Sequence, residues 1–285
     1  MTEGFAGRVA GAVADTGPLC AGIDPSSELL EHWGLEDTPG GLRTFALRCV
    51  EAFAGVVPVV KPQVAFFERM GSAGLAVLEE VLAACRDVGL VAIADAKRGD
   101  IGSTMEAYAT AWLDPASPLV ADAMTVLAYL GMGALQPAFD LASAGGKGVI
   151  VVVRSSNPEG RSLQTARTPG PAGEPSGPAV EDMLLADIAA LNHGGLRTAG
   201  TVGAVVGATR TPSEFDLAGL GGVILAPGVG FQGGTAEGAG RLFAGCAPGT
   251  VLPNVSRSLL VAGPDVTALR EAAAKECATL GSALR

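Results

Sequence analysis

Short apolar segments alternate with longer amphipathic segments along almost the whole chain. The apolar segments are rich in valine, alanine, leucine and isoleucine, which is typical of strands buried on both faces. They predict strands at residues 18–23, 56–60, 90–94, 119–127, 148–153, 201–206, 222–226 and 250–255. Helical patterns cover about 41–55, 66–88, 102–113, 131–139, 181–192, 235–246 and 265–280, and residues 211–214 carry a further helix-cap signal. Eight strands alternating with about eight helices predict an α/β fold, a parallel (β/α)8 TIM barrel, formed by one domain over residues 1–285.

Polar residues follow most of the predicted strands. In a (β/α)8 barrel the carboxyl ends of the strands meet at one face, and that face holds the active site. The residues that this arrangement brings together are Asp24, Lys61, Asp95, Lys97, Ser156, the glycine-rich loop 228–234 and Arg257. Their convergence from distant positions predicts a functional site at the carboxyl-terminal face.

The segment from Asp95 to Asp100, which follows the third predicted strand, carries the densest charge. Strand alternation places Asp95 and Lys97 on the same side, and Asp100 follows in the loop. Charges at the end of a buried strand are costly unless they pair, so we expect these three residues to form a network. Such a network can be a structural salt bridge. It can also be a proton-transfer site, because flanking carboxylates keep a lysine protonated and able to act as a general acid.

The loop after the seventh predicted strand matches the pattern GxGxxG from Gly228 to Gly233. This pattern also occurs in dinucleotide-binding folds, but those need several strands after the motif and only one remains here. In a barrel, the seventh and eighth loops commonly bind phosphate. We therefore predict a phosphate site formed by Gly230, Gln232, Gly233 and Arg257, with a purely structural turn as the alternative.

Composition narrows the class of protein. The net charge of −10 argues against a nucleic-acid or anionic-membrane surface, and no segment is long and apolar enough to span a membrane. Five scattered cysteines without a CxxC pair indicate reduced thiols and a cytoplasmic location. The only histidines, His32 and His193, stand beside helix-end signals, which disfavours a histidine metal site or a Ser-His-Asp triad.

Residues 159–178 interrupt the regular alternation. This segment is rich in Gly, Pro, Ser and Thr and is longer than an ordinary loop between a strand and a helix. It is either a flexible insertion or a lid that closes over a ligand.

Several segments in the same order along the chain resemble the orotidine 5′-phosphate decarboxylase family, in particular its longer bacterial branch. They are the motif Asp95-x-Lys97-x-x-Asp100-Ile101 with Thr104, the segment 226–234 with Ser256-Arg257, and the segments 22–25, 61–63 and 155–158. The resemblance covers essentially the whole chain. It implies a homodimeric barrel, with sites shared across the interface, that converts orotidine 5′-phosphate to uridine 5′-phosphate and CO2 without a metal or cofactor.

The resemblance also implies roles for individual residues. Lys97 would donate a proton to C6, Asp95 would lie near the departing carboxylate, and Asp100 would complete the charge array. The implied substrate-binding residues are Asp24 and Lys61 at the ribose, Ser156 at the pyrimidine, Gly230, Gln232, Gly233 and Arg257 at the phosphate, and Ile101 and Thr104, which with Asp100 would reach the partner subunit's site.

The chain departs from the family pattern after the fourth strand, where Leu127 and Ala128 replace a polar residue and a proline. This departure affects the local loop and a potential dimer contact.

Three other functions remain as alternatives. A Mg²⁺-dependent sugar-phosphate decarboxylase or synthase would generally carry a glutamate where this chain has Lys61. A Schiff-base aldolase needs a lysine with a lowered pKa. The carboxylates around Lys97 instead favour its protonated form. A non-enzymatic phosphate-binding protein would not need the Asp-Lys-Asp array.

Overall fold

The computed structural model describes residues 4–170, 173–174, 176–209, 217–230 and 233–284. Eight parallel strands form a closed barrel in chain order. They are β1 Cys20–Ile23, β2 Val59–Pro62, β3 Val91–Arg98, β4 Ala123–Val126, β5 Gly148–Arg154, β6 Val202–Val206, β7 Ile224–Pro227 and β8 Val251–Val255. The barrel closes where β1 pairs with β8, with Cys20 opposite Asn254. The predicted (β/α)8 barrel is therefore confirmed.

Helices surround the barrel and follow most of the strands. Their bounds are α1 Phe5–Thr16, α2 Ser27–His32, α3 Pro39–Phe53, α4 Val64–Glu68, α5 Gly71–Asp87, α6 Gly102–Leu113, α7 Gln136–Gly145, α8 Arg161–Gln164, α9 Val180–Ala190, α10 Ala236–Leu242, α11 Arg257–Leu260 and α12 Val266–Ala283. Short 3-10 turns cover Met132–Leu135 and Pro158–Gly160, and a π turn covers Leu191–Gly195. None of the described helices is long and apolar enough to cross a membrane.

The predicted helix at 66–88 is two helices in the structure, α4 and α5. The chain turns between them at Gly71, whose φ of +62° lies in the left-handed region that favours glycine. The first turn of α5 then packs tightly on the end of α4, because a Cβ at Gly74 would lie 2.0 Å from the carbonyl oxygen of Phe67. The periodicity of the apolar residues continues across this break, which is why the sequence predicted one helix.

Helix α1 was not predicted, and it fills the amino-terminal end of the barrel. Its Phe5 and Val9 are buried with the inward side chains of the strands, including Cys20, Ile93 and Ile150. The Phe5 ring fits against Gly148, where a Cβ would lie 2.3 Å from the ring. This plug closes one end of the barrel with apolar side chains and leaves the polar strand ends at the other.

Strand β3 is longer than the predicted segment 90–94, and it includes Asp95 and Lys97. Strand β4 is shorter than the predicted segment 119–127. The helix-cap signal at 211–214 and Gln232 lie outside the described residues. The five cysteines are all free thiols, four of them buried, as the sequence predicted.

The interrupting segment 159–178 carries hydrogen-bonded structure in its described parts. Helix α8 covers its beginning, and Arg167 forms a β-bridge with Ala179 near its end. Backbone hydrogen bonds also join Thr168 to Gly177 and Pro178. The segment thus leaves the barrel after β5 and returns to it at α9.

Candidate active site

A cavity of about 320 Å³ opens at the carboxyl ends of the strands. Strands β1, β2, β3, β5, β6, β7 and β8 contribute side chains to it, directly or from the loops that follow them. Six of the predicted site residues line it, namely Asp24, Lys61, Asp95, Lys97, Ser156 and Arg257. The predicted convergence of strand ends therefore occurs, and it forms a cleft of the size that holds a small molecule.

The Asp95 carboxylate is the centre of the hydrogen-bond network in this cavity. Its Oδ2 atom accepts hydrogen bonds from Lys61 Nζ at 2.9 Å and from Gln63 Nε2 at 2.8 Å. Its Oδ1 atom accepts from Lys97 Nζ at 2.6 Å and from Thr125 Oγ1 at 2.8 Å. Four donors on one buried carboxylate fix its position and favour its ionised form.

The Lys61 ammonium is almost fully buried, with 4% of the residue exposed. Burial alone would lower its pKa, but the nearby charges of Asp95 and Asp24 outweigh burial and raise it. Burial likewise acts to raise the pKa of Asp95, and the charges of Lys61 and Lys97 outweigh it and hold that pKa well below the usual range. Both groups are therefore ionised at neutral pH.

Lys97 differs from Lys61 in exposure and in backbone conformation. Its side chain is 44% exposed and faces the cavity. Its φ of +46° lies in the left-handed region, and every other described residue in that region is a glycine. Its N–H group donates to Thr125 Oγ1 at 3.0 Å. The ammonium can therefore reach a ligand while it stays paired with Asp95.

Asp24 extends this row of charges. Its Oδ1 atom lies 4.0 Å from Lys61 Nζ, so that Asp24, Lys61, Asp95 and Lys97 alternate in sign. The same Oδ1 atom is buried and accepts no hydrogen bond from the described residues. A buried acceptor without a donor is costly. A ligand hydroxyl group at this end of the cavity would supply the missing donor.

The structure places Asp100 outside this network within a single chain. Its Oδ1 atom accepts a hydrogen bond from the N–H group of Ile101 at 2.8 Å, and it forms no ion pair with Lys97 among the described residues. Ile101 is 62% exposed, and Thr104 is exposed on the first turn of α6. None of these three lines the cavity. The expected one-chain network of Asp95, Lys97 and Asp100 is therefore replaced by one that contains Lys61 and Asp24.

The glycine-rich loop after β7 is held by its own backbone. Gly230 and Gly233 both have positive φ, and their N–H groups donate to the carbonyls of Gly234 and Gly230 respectively. Those two N–H groups are therefore committed within the loop and are not directed at a ligand. The loop lies beside α11, since a Cβ at Gly230 would lie 3.0 Å from Ser258 Oγ. Arg257 begins α11 and lines the cavity next to Gly228 and Val229.

Three residues of the site were not predicted as functional from the sequence. Gln63 and Thr125 hold the Asp95 carboxylate, and Asn254 lines the cavity and donates to the carbonyl of Cys20 across the closure of the barrel. Each is a polar residue at or in an apolar strand. That is the signal that could have identified them, because a polar side chain inside a barrel needs a partner there.

The described residues contain no group of three His, Cys, Asp or Glu side chains that could hold a metal ion. His32 and His193 bond to the backbone carbonyls of Val261 and Gly219, away from the cavity. Among the described residues, the cationic side chains that line the cavity are Lys61, Lys97 and Arg257.

Comparison with known proteins places the chain among relatives of the same length. The model of the orotidine 5′-phosphate decarboxylase / HUMPS family matches residues 17–272. The chain is 50% identical to orotidine 5′-phosphate decarboxylase of Corynebacterium efficiens over 280 residues, which are 98% of this chain and 97% of that one. It is 50% identical to the enzyme of that name from Salinispora arenicola over 282 residues, 99% of each chain. The crystal structure of a candidate orotidine 5′-phosphate decarboxylase from Streptomyces avermitilis superposes with a TM-score of 0.91 and 47% identity, covering 99% of this chain and 96% of that one. The chain therefore belongs to the orotidine 5′-phosphate decarboxylase / HUMPS family.

Proposed function

We propose that this protein converts orotidine 5′-phosphate to uridine 5′-phosphate and CO2, without a metal or cofactor, with Lys97 as the proton donor. The observation that carries this proposal is the Asp95 carboxylate fixed between the ammonium groups of Lys61 and Lys97 in the cavity of about 320 Å³ at the carboxyl ends of the strands. Relatives with half of their residues identical to this chain bear the name of that activity.

The reaction breaks the bond between C6 of the pyrimidine and its carboxylate. CO2 leaves, and the electron pair of the broken bond stays on C6. A fixed ammonium group close to C6 stabilises this charge and then transfers a proton to it, which gives uridine 5′-phosphate. Lys97 is suited to both steps, because Asp95 at 2.6 Å orients its Nζ and its exposed side chain reaches the cavity. The ionised Asp95 would repel the substrate carboxylate and favour its loss.

The remaining cavity residues suit the rest of the nucleotide. Asp24, whose buried Oδ1 lacks a donor, and Lys61 would hydrogen-bond the ribose hydroxyls. Ser156, which follows β5, would bond the pyrimidine. Arg257 and Gln232 would bind the phosphate near the glycine-rich loop. The phosphate is remote from C6, so its binding energy can be used to close the 159–178 segment as a lid over the site.

We also propose that two copies of the chain form a dimer in which Asp100, Ile101 and Thr104 complete the partner's site. Exposed apolar side chains support this assembly. Ile101 stands after β3 and Leu127, Tyr129 and Leu130 stand after β4, and each of them is at least 42% exposed. The two loops touch, since a Cβ at Gly99 would lie 2.4 Å from the carbonyl oxygen of Leu127. Several exposed apolar side chains on two adjoining loops are typical of an interface. The free thiols suit a reducing compartment such as the cytoplasm.

Lys61 argues against a magnesium site in this cavity. Its ammonium lies within 4.0 Å of both Asp24 and Asp95, so the two carboxylates that could bind a divalent cation already share a positive charge. A Mg²⁺-dependent sugar-phosphate decarboxylase would need these oxygens for the metal.

The test of the function is the identification of products by NMR after the protein is incubated with orotidine 5′-phosphate. We expect uridine 5′-phosphate and CO2 in equal amounts. The competing substrate is a sugar-acid phosphate that carries a ketone β to its carboxylate, supplied together with Mg²⁺. Turnover of the sugar phosphate without turnover of the nucleotide would overturn the proposal, and so would tight binding of uridine 5′-phosphate with no reaction.

A further inference from the structure

The backbone at Lys97 is held in a conformation that a lysine disfavours. Left-handed φ values crowd the Cβ atom against the backbone, so they persist at a non-glycine residue only where the surroundings impose them. Lys97 has a φ of +46°, and the pairing of β3 with β4 shifts register between Ala94 and Arg98. A bulge of this kind changes the direction of a side chain on a strand. Here it accompanies the 2.6 Å contact of Lys97 Nζ with Asp95.

Hydrogen bonds on both sides of Lys97 maintain this bulge. The Nη1 atom of Arg98 donates to the carbonyl of Ala96 at 2.7 Å, directly before Lys97. The N–H group of Leu127 donates to the carbonyl of Arg98 at 2.8 Å, directly after it. Arg98 thus contacts the bulge through its guanidinium group and through its backbone.

Two helices hold the Arg98 side chain in turn. Its guanidinium carbon lies 5.7 Å from the ring centres of Tyr108 and Trp112, both on α6, which suits a cation–π contact. Its Nη2 atom forms an ion pair with Glu68 at the end of α4. Only 21% of the Arg98 side chain is exposed, and Arg98 does not line the cavity. The guanidinium group is therefore well placed to fix the backbone and cannot touch a ligand in the cavity.

We propose that Arg98 is a positioning residue that acts through Lys97, by holding the left-handed turn that aims the Lys97 ammonium at the reacting carbon. This inference rests on the proposed function of Lys97 as proton donor. It assigns to α4 and α6 a part in the placement of the proton donor, although neither helix contributes a side chain to the cavity.

The test compares Arg98→Met with Arg98→Lys and with a matched control. Methionine keeps an unbranched apolar side chain on the rings but removes the donor to Ala96, and lysine keeps the charge but loses the planar fork. The control is Arg86→Met, because Arg86 Nη1 also donates to a backbone carbonyl, that of Val120, at 2.8 Å and outside the cavity. The measurements are kcat with orotidine 5′-phosphate, the Kd of uridine 5′-phosphate, and the rate at which C6 of uridine 5′-phosphate exchanges its proton with D2O.

We expect Arg98→Met to lower kcat and the C6 exchange rate by about 10- to 100-fold, because small misplacements of a reacting group have effects of that size. The Kd of uridine 5′-phosphate should stay within about twofold of the wild-type value, because Arg98 does not line the cavity. A factor of two in Kd corresponds to less than about 0.5 kcal/mol. The kcat and the C6 exchange rate of Arg98→Lys should lie between those of Arg98→Met and of the wild type. Arg86→Met should match the wild type in both. A folded Arg98→Met protein with wild-type kcat would overturn the proposal. A fall in kcat with an equal loss of nucleotide affinity would also overturn it, because that indicates general damage to the site.

Two further arms keep the outcome decisive. If Arg98→Met does not fold, Arg98→Lys must by itself show the fall in kcat and C6 exchange with unchanged Kd. Acetylation of Lys97, followed by peptide mass spectrometry, does not depend on turnover, and it should be faster in the variants because the pair with Asp95 loosens. In one outcome the wild type fails to react with orotidine 5′-phosphate while Lys97 is acetylated faster in the variants than in the wild type. That result would overturn the proposed function and leave the positioning role of Arg98 supported.

Discussion

The ammonium nitrogen of Lys97 lies 2.6 Å from Oδ1 of Asp95, although a single residue separates the two on the same strand. The other oxygen of this carboxylate accepts from Lys61, so one buried acid places two lysines of different character. Lys61 is buried and fixed, whereas Lys97 is close to half exposed and able to meet a ligand. The proposed chemistry depends on this division between a lysine that binds and a lysine that reacts.

Asp95→Asn should lower the free energy of unfolding and make it depend less on pH under acidic conditions. Removing one partner of a buried ion pair costs about 3–5 kcal/mol, so we expect the free energy of unfolding at neutral pH to fall by about that amount. The pKa of Asp95 is lowered in the folded protein, so its carboxylate contributes stability that is fully present above the ordinary aspartate pKa of about 4. That contribution is lost as the pH falls below this value.

Urea unfolding at several pH values between about 5 and 2 measures this contribution. The wild-type free energy of unfolding should fall more steeply with acid than that of Asp95→Asn. Asp140→Asn is the control, because Asp140 is exposed and bonds only to Gln136 among the described side chains. Equal slopes for the wild type and Asp95→Asn would mean that Asp95 does not have the lowered pKa that we assign to it.

Mixing two inactive variants should restore activity if the sites are shared between subunits. We expect Lys97→Ala and Asp100→Asn each to abolish most turnover alone. A mixed dimer would contain one site with both substitutions and one site with neither, so random exchange of subunits should return about a quarter of wild-type activity. No recovery after confirmed subunit exchange would show that Asp100 does not serve the partner's site.

The site residues differ in how far the sequence could predict them. Asp24, Lys61, Asp95 and Lys97 were predictable because each stands at the end of an apolar strand, and a barrel brings such ends together. Asp100 stands in the loop beyond β3 and does not line the cavity of the single chain, so the convergence of strand ends does not predict a role for it.

Other features were invisible in the sequence for physical reasons. Thr125 accepts from Lys97 and donates to Asp95, but it belongs to the neighbouring strand, and the register between β3 and β4 shifts at this point. The left-handed turn at Lys97 opposes local preference and is imposed by tertiary contacts. Helix α1 was missed because its apolar residues mix with alanine and glycine, and only the barrel end that it plugs explains Phe5.

Phe5→Ala should reduce stability and leave the chemistry intact. Phe5 is 1% exposed and fills the end of the barrel opposite to the cavity. Loss of a buried phenylalanine side chain costs about 3–5 kcal/mol, which should appear as a lower midpoint in urea unfolding. The kcat measured well below that midpoint should equal the wild-type value. A large fall in kcat would mean that the two ends of the barrel are coupled, contrary to this account.

Gln164 on α8 should affect substrate affinity more than turnover. Its Nε2 donates to Ser155 Oγ at 2.9 Å, and its Oε1 accepts from the N–H group of Ser155 at 3.3 Å. These bonds tie the 159–178 segment to the strand end that carries Ser156. Gln164→Ala should raise KM by about fivefold to tenfold, as expected for one or two lost hydrogen bonds.

The neighbouring hydroxyl provides the control for this variant. Thr165 Oγ1 bonds only to the carbonyl of Arg161 in its own turn among the described contacts, so Thr165→Ala should leave KM unchanged. If Gln164→Ala and Thr165→Ala both behave as wild type, the segment does not act on substrate binding through Ser155.

Metal-free turnover that depends on Lys97 is the central claim, and one assay tests it most directly. The absorbance of orotidine 5′-phosphate is followed in excess EDTA with the wild type, Lys97→Ala and the control Lys147→Met, since Lys147 pairs with Asp122 outside the cavity. We predict full turnover by the wild type and Lys147→Met, and a loss of at least about 100-fold in Lys97→Ala. Turnover that ceases in EDTA and returns with Mg²⁺, or that survives in Lys97→Ala, would contradict the account.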